Sequence, residues 1–210
     1  MSSKKKRKEK DDFYNSIKEL LKGNTDNEFR EALLDTDNEM RSRIGMIAED
    51  AFFDLFQEYT EEYNKSQTDS NLYIDRVRHE QECKDSYGNP KKFCPDYRVR
   101  QDSCPNVNLF VEFKIVMSGK FSFKSNQMIG NDVYVILDLH FDPIRYFILD
   151  GKGNEKRQQR LALFSKDTCK TLQIKEIAKM LRNVLNVKQQ EYLKKQKKKL
   201  KRKKLLPCLD

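Results

Sequence analysis

Apolar side chains return every three or four residues at Met40, Ile44, Ile47, Ala48, Ala51, Phe52, Leu55, Phe56 and Tyr59. That period predicts a long core helix over about residues 39–63. Phe13, Ile17, Leu20 and Leu21 repeat it on a smaller scale and predict a short helix that starts at Asp11 or Asp12 and is closed by Gly23. Phe29, Leu33 and Leu34 predict a second short helix starting after residues 24–27. Ile174, Ile177, Ala178, Leu181, Val184 and Leu185 mark an amphipathic helix expected to pack across a sheet.

Between these helices the pattern is that of strands. Leu72, Tyr73, Ile74 and Val77 suggest one, and Tyr97-Arg98-Val99 a short extended segment that Pro95 keeps out of helix. Val107, Leu109, Phe110, Val111, Phe113, Ile115 and Val116 form a β-branched and aromatic run. Residues 133–139, VYVILDL, are nearly all apolar, as in a central strand covered on both faces. Residues 144–149, IRYFIL, give another, ending at the Asp150-Gly151 turn. Residues 79–92 carry a Gly-Asn-Pro turn signal without apolar period and are expected to be a connection, as is the polar stretch 152–160. The class is therefore α/β, with a mixed central sheet of about four or five strands flanked by helices.

Charge adds a partner to this picture. Charged residues make up 36% of the 210 and the net charge is +9, which favours an anionic partner, nucleic acid before a membrane surface. Basic residues crowd the two ends, MSSKKKRKEK and KKQKKKLKRKK at 194–204. Residues 1–12 and 191–210 are accordingly expected to be basic tails on a domain at 13–190. The C-terminal block, disordered or helical, would add salt-sensitive affinity for any nucleic acid. No run approaches the roughly 18 apolar residues of a membrane span, and the basic start leads into no apolar segment. A cytoplasmic location, nuclear in a eukaryotic host, is expected. Five cysteines at irregular spacing fit a reducing compartment. His79, Cys83, Cys94 and Cys104 cluster in sequence, but zinc-site spacing is absent, so the cysteines are expected to be separate thiols.

Chemistry concentrates between Cys94 and Ile115. Pro95-Asp96 is followed, sixteen residues on, by Glu112-Phe113-Lys114. On a strand Glu112 and Lys114 point the same way while Val111, Phe113 and Ile115 point oppositely. If the two segments pair as a hairpin, Asp96 and Glu112 converge. Two such carboxylates suit Mg²⁺, or equally Mn²⁺, and a neighbouring lysine can position water and offset phosphate charge. Otherwise Glu112 and Lys114 are an ordinary ion pair on a strand.

At these residues, and in the order helix, strand, strand with Glu-x-Lys, strand over residues 40–150, the chain resembles the PD-(D/E)xK nuclease superfamily, most closely its Type II restriction endonucleases. The resemblance implies a restriction-endonuclease-like sheet and metal-dependent hydrolysis of DNA. Asp96 and Glu112 would be metal ligands, the Phe113 carbonyl a third, and Lys114 the residue that places the water. Glu49 matches the glutamate that many members carry on the helix before the catalytic sheet, as a further ligand. Without that role it is a boundary glutamate extending to solvent. In MSGKFSFKSNQMIGND, Lys120, Lys124 and Gln127 fall where members contact phosphate or base edges, and Arg98 lies beside the catalytic strands. A homodimer is implied by the same resemblance alone. A structure-specific or RNA endonuclease of this fold, or a non-catalytic nucleic-acid-binding module, would share these features.

Overall fold

In the computed structural model the helical period over 40–59 becomes helix α3, Asn38–Lys65, which follows α1, Ser3–Leu21, and α2, Asn27–Leu34. Among the described residues seven strands come next: β1 Leu72–Arg76, β2 Gln81–Lys84, β3 Pro90–Phe93, β4 Tyr97–Gln101, β5 Leu109–Val116, β6 Val133–Asp138 and β7 Arg145–Asp150. Helix α4, Ile174–Leu205, comes last. The structure describes residues 3–24, 26–68, 70–84, 88–117, 130–140, 145–150 and 174–205.

Five strands form one mixed sheet in the order β1-β4-β5-β6-β7, and β2 and β3 form a separate hairpin. Strands β1, β4 and β5 pair antiparallel in turn, β5 and β6 are parallel, and β6 and β7 are antiparallel. Side-chain alternation then sorts the sheet into two faces. Leu109, Val111, Phe113 and Ile115 of β5, with Val133, Val135 and Leu137 of β6, join one apolar core with α1, α3 and α4. At its centre Phe52 of α3 stacks on Phe113 at 4.5 Å and on Tyr97 at 5.7 Å between ring centroids. Tyr134 and Ile136 on the second face of β6 are buried as well, which accounts for the unbroken apolar run.

Helix starts follow the capping rules where a short polar side chain is at hand. Asp26 accepts from the Phe29 N–H ahead of α2 and Asp37 from the Met40 N–H ahead of α3. Two expectations are corrected. Helix α1 begins at Ser3, so Asp11 and Asp12 lie inside it and cap nothing; the Lys- and Glu-rich residues before them are good helix formers and carry the helix back. Residues 79–92 are more than a connection, because they supply most of the β2–β3 hairpin. Phe93 is the one fully buried residue of its two strands, Gln81 and Cys83 being half-buried and the rest exposed, so cross-strand pairs such as Glu82 opposite Lys92 take the place of apolar alternation. Helix α4 continues to Leu205 through the basic block, so of the two forms expected for that block the helical one is seen. That block resembles the start of α1: straight-chain lysines favour helix even where no core demands it.

Candidate active site

Antiparallel pairing of Tyr97 with Val111 and Arg98 with Phe110 sets the register of β4 and β5. One step further along, the same register places Asp96 opposite Glu112. Asp96 sits just before β4, where its carbonyl accepts from the Val77 N–H at 3.1 Å. Its carboxylate crosses to β5 and accepts from the Phe113 N–H at 2.7 Å. The two segments that carry the Pro-Asp and Glu-x-Lys residues therefore meet through a direct side-chain contact.

Glu112 is only 3% exposed. A carboxylate so buried requires donors, and one is the Asn131 side-chain amide, 3.3 Å from Oε2. Asn131 is itself buried, in the turn that leads into β6. Gly130 makes that turn with φ of 87°, and a Cβ there would lie 2.5 Å from the Phe93 ring. Phe93 in turn meets Phe110 edge to face at 5.3 Å. The β2–β3 hairpin thus reaches the neighbourhood of Glu112 through Phe93. Lys114, two residues after Glu112 on β5, is half-buried, and its charge acts to lower the pKa of Asp96.

Helix α3 brings a further carboxylate. The Tyr97 hydroxyl donates to the Glu49 carbonyl oxygen at 2.7 Å, tying this turn of helix to the start of β4. Burial pushes the Glu49 carboxyl up to about 7, with the negative charges of Asp96 and then Asp50 adding to the effect. Asp96 is raised to about 6 by burial, against the opposing pull of the Phe113 N–H and Lys114. The Cys94 thiol is held above its usual range by burial, then by Asp96, Glu112 and Glu80. Negative charge is crowded here in partly dry surroundings, an arrangement that a cation or a proton relieves.

Asp96 and Glu112 are the residues here that could hold a hard divalent ion. Mg²⁺ is commonly held by one or two carboxylates and completes its shell with water and phosphate oxygens, which Asp96 and Glu112 with the nearby main chain can accommodate. Among the described residues no three His, Cys, Asp or Glu side chains form a ready-made metal cluster. Cys83 is half-buried, Cys94 exposed and Cys104 buried, each outside any disulfide.

Arg98 and Arg100 both bond the Asp75 carboxylate of β1, at 2.9 and 2.8 Å. Lys91 and Lys92 stand exposed on β3, with Lys92 3.3 Å from Glu80. Lys120, Lys124 and Gln127 lie outside the described residues. Sequence reasoning missed Asn131, whose Gly-Asn-Asp setting reads only as a turn. It also missed Asp132, which accepts from the Phe110 N–H at 2.8 Å and from Lys188 of α4 at 2.6 Å. Comparison with protein-family models, with curated proteins and with solved structures finds no match to the chain. No helix among the described residues is long and apolar enough to cross a membrane.

Proposed function

We propose that the protein is a metal-dependent endonuclease of the PD-(D/E)xK kind, hydrolysing phosphodiester bonds of DNA, with a restriction-endonuclease-like sheet as its catalytic platform. One observation carries the reading: Asp96, bonded to the Phe113 N–H, stands opposite Glu112 when the β4–β5 register is extended by one residue, with the charge of Lys114 acting on Asp96 and the Glu49 carboxyl within electrostatic reach from α3. Asp96, Glu112 and the Phe113 carbonyl, assisted by Glu49, would hold Mg²⁺ or Mn²⁺, which when bound polarises the scissile phosphate and lowers the pKa of an attacking water.

The chain's own residues do the rest. The Phe113 N–H and the Asn131 amide hold Asp96 and Glu112 in fixed rotamers, so little reorganisation is left for the reaction itself. Lys114 orients the water and offsets the charge that builds on the phosphate as a P–O ester bond breaks. Arg98 and Arg100, neutralised in part by Asp75, offer a positive edge beside the strands for the backbone of the substrate. Type II restriction enzymes are the favoured members, acting on duplex DNA at a defined sequence, with a homodimer as the expected working form.

Plasmid nicking and linearisation, with Mg²⁺, with EDTA, and with Asp96→Ala and Lys114→Ala, tests the proposal. Discrete fragments that disappear with EDTA and with either substitution support a sequence-specific nuclease. A smear with the same dependence retains the nuclease and removes the restriction reading. Intact plasmid in both Mg²⁺ and Mn²⁺ refutes cleavage of duplex DNA.

A further inference from the structure

Between α4 and the start of β5 lies a cleft of about 390 Å³, within the size range of small-ligand pockets. Lys188, Glu191, Tyr192 and Lys195 line its helical side, at the three- and four-residue spacing that puts them on one face of α4. The opposite side is Phe110 with Asn106 and Asn108. The cleft's geometry is fixed by Lys188, whose ammonium donates to the Asn108 carbonyl and to the Asp132 carboxylate, each at 2.6 Å. The same ammonium lies 5.9 Å above the Phe110 ring.

The lining combines aromatic surface with hydrogen-bonding groups. Phe110 and Tyr192 are half-buried rings, able to stack on a planar heterocycle. The Asn106 and Asn108 amides match the donors and acceptors on a base edge. Lys195 stands exposed at the cleft, and Lys194, Lys198 and Lys199 continue the positive charge along α4. Position completes the case: Phe110 precedes Glu112 by two residues on the same side of β5, about 7 Å away at ordinary strand rise.

We propose that this cleft binds one nucleotide of the substrate strand with its base out of the stack. The base lies against Phe110 and Tyr192, and its phosphate is held by Lys195 and the basic face of α4. The inference rests on the nuclease reading for the identity of the polymer. An unstacked base is available from a single strand, a bulge, or a base turned out of a duplex.

Binding of the full-length protein in EDTA separates these sources. The probes are a fluorescein-labelled single strand, a blunt duplex, and duplexes with 2-aminopurine at a bulged or a paired position. Tyr192→Leu keeps apolar bulk and removes the ring; it is expected to weaken single-strand and bulge binding about tenfold and to abolish the change in 2-aminopurine emission. Asn106→Ala, at an exposed turn residue, is expected to weaken the same probes about fivefold without disturbing the fold. An emission change at the bulged position alone assigns pre-existing unpaired nucleotides, and a change at the paired position as well assigns base turning. Binding and emission unaffected by both substitutions, or weakened equally on all probes including the blunt duplex, overturns the proposal. No cleavage enters this readout. A protein that cuts plasmid but fails here keeps its nuclease reading and loses the cleft, and one that passes here without cutting keeps the cleft as a nucleotide site.

Discussion

Replacing Lys114 with alanine leaves the rest of β5 in place and removes a positive charge that acts on Asp96. Under the nuclease proposal kcat is expected to fall by about a hundredfold or more, with DNA retention and circular dichroism unchanged. The raised carboxyls make a prediction that needs no turnover. Glu49 titrates near 7 and Asp96 near 6 in the folded protein, above their values in an unfolded chain, so between about pH 4 and pH 7 the folded state holds protons that the unfolded state has released. Stability is then full below the unfolded pKa and is lost as pH rises through the folded one. In EDTA the melting temperature is expected to drop from pH 5 to pH 8, less steeply in Glu49→Gln, and Mg²⁺ or Mn²⁺ is expected to restore it at pH 8. A flat profile in EDTA would contradict the crowding of these carboxylates. The Gly130 turn is a third residue-scale test, since Gly130→Ala adds a Cβ 2.5 Å from the Phe93 ring at a positive φ. A loss of about 1–3 kcal/mol in denaturant titration is expected, partly recovered by combining it with Phe93→Leu.

At the scale of elements, α3 matters as the ceiling of the core and as the carrier of Glu49. Phe52 stacks on rings from β4 and β5 at once, so Phe52→Ala is expected to cost about 3–5 kcal/mol and lower the melting temperature by on the order of 10 °C. Tyr97→Phe is gentler. It deletes the hydroxyl bound to the Glu49 carbonyl and is expected to cost about 1 kcal/mol. The period of α3, the central strands and the core of α4 was readable because each buries a continuous face, and burial writes itself into local spacing. The β2–β3 hairpin was not, because Phe93 is the one residue of its strands that is fully buried and most of the others are polar and at least partly exposed. The start of α1 was missed for a related reason: helix propensity without an apolar stripe leaves no period to read.

Across the whole molecule, positive charge is arranged along α4, from Lys188 inside the cleft to the exposed lysines at 194, 195, 197, 198 and 199. Helix formation fixes the rise between these charges along one axis, which a coil does not. Exchanging Lys197, Lys198 and Lys199 for glutamine is expected to weaken duplex binding and to reduce the slope of log K against log salt by roughly 2–3. An unchanged slope would show that these lysines contact no phosphate.

Local patterning was enough to find most helices and the strands of the main sheet, along with the pairing of Glu112 and Lys114 on one side of β5. Each follows from a single element's period and from which residues must leave water. Strand order, register and the path of the turns decided the rest: Asp96 bonded to the Phe113 N–H, Glu49 held where the charge of Asp96 reaches it, Asn131 against Glu112, and Lys188 bridging to Asp132. These contacts join residues 17 to 56 positions apart in the chain. No short-range period encodes them, because they depend on how whole elements pack and not on how any one of them is patterned.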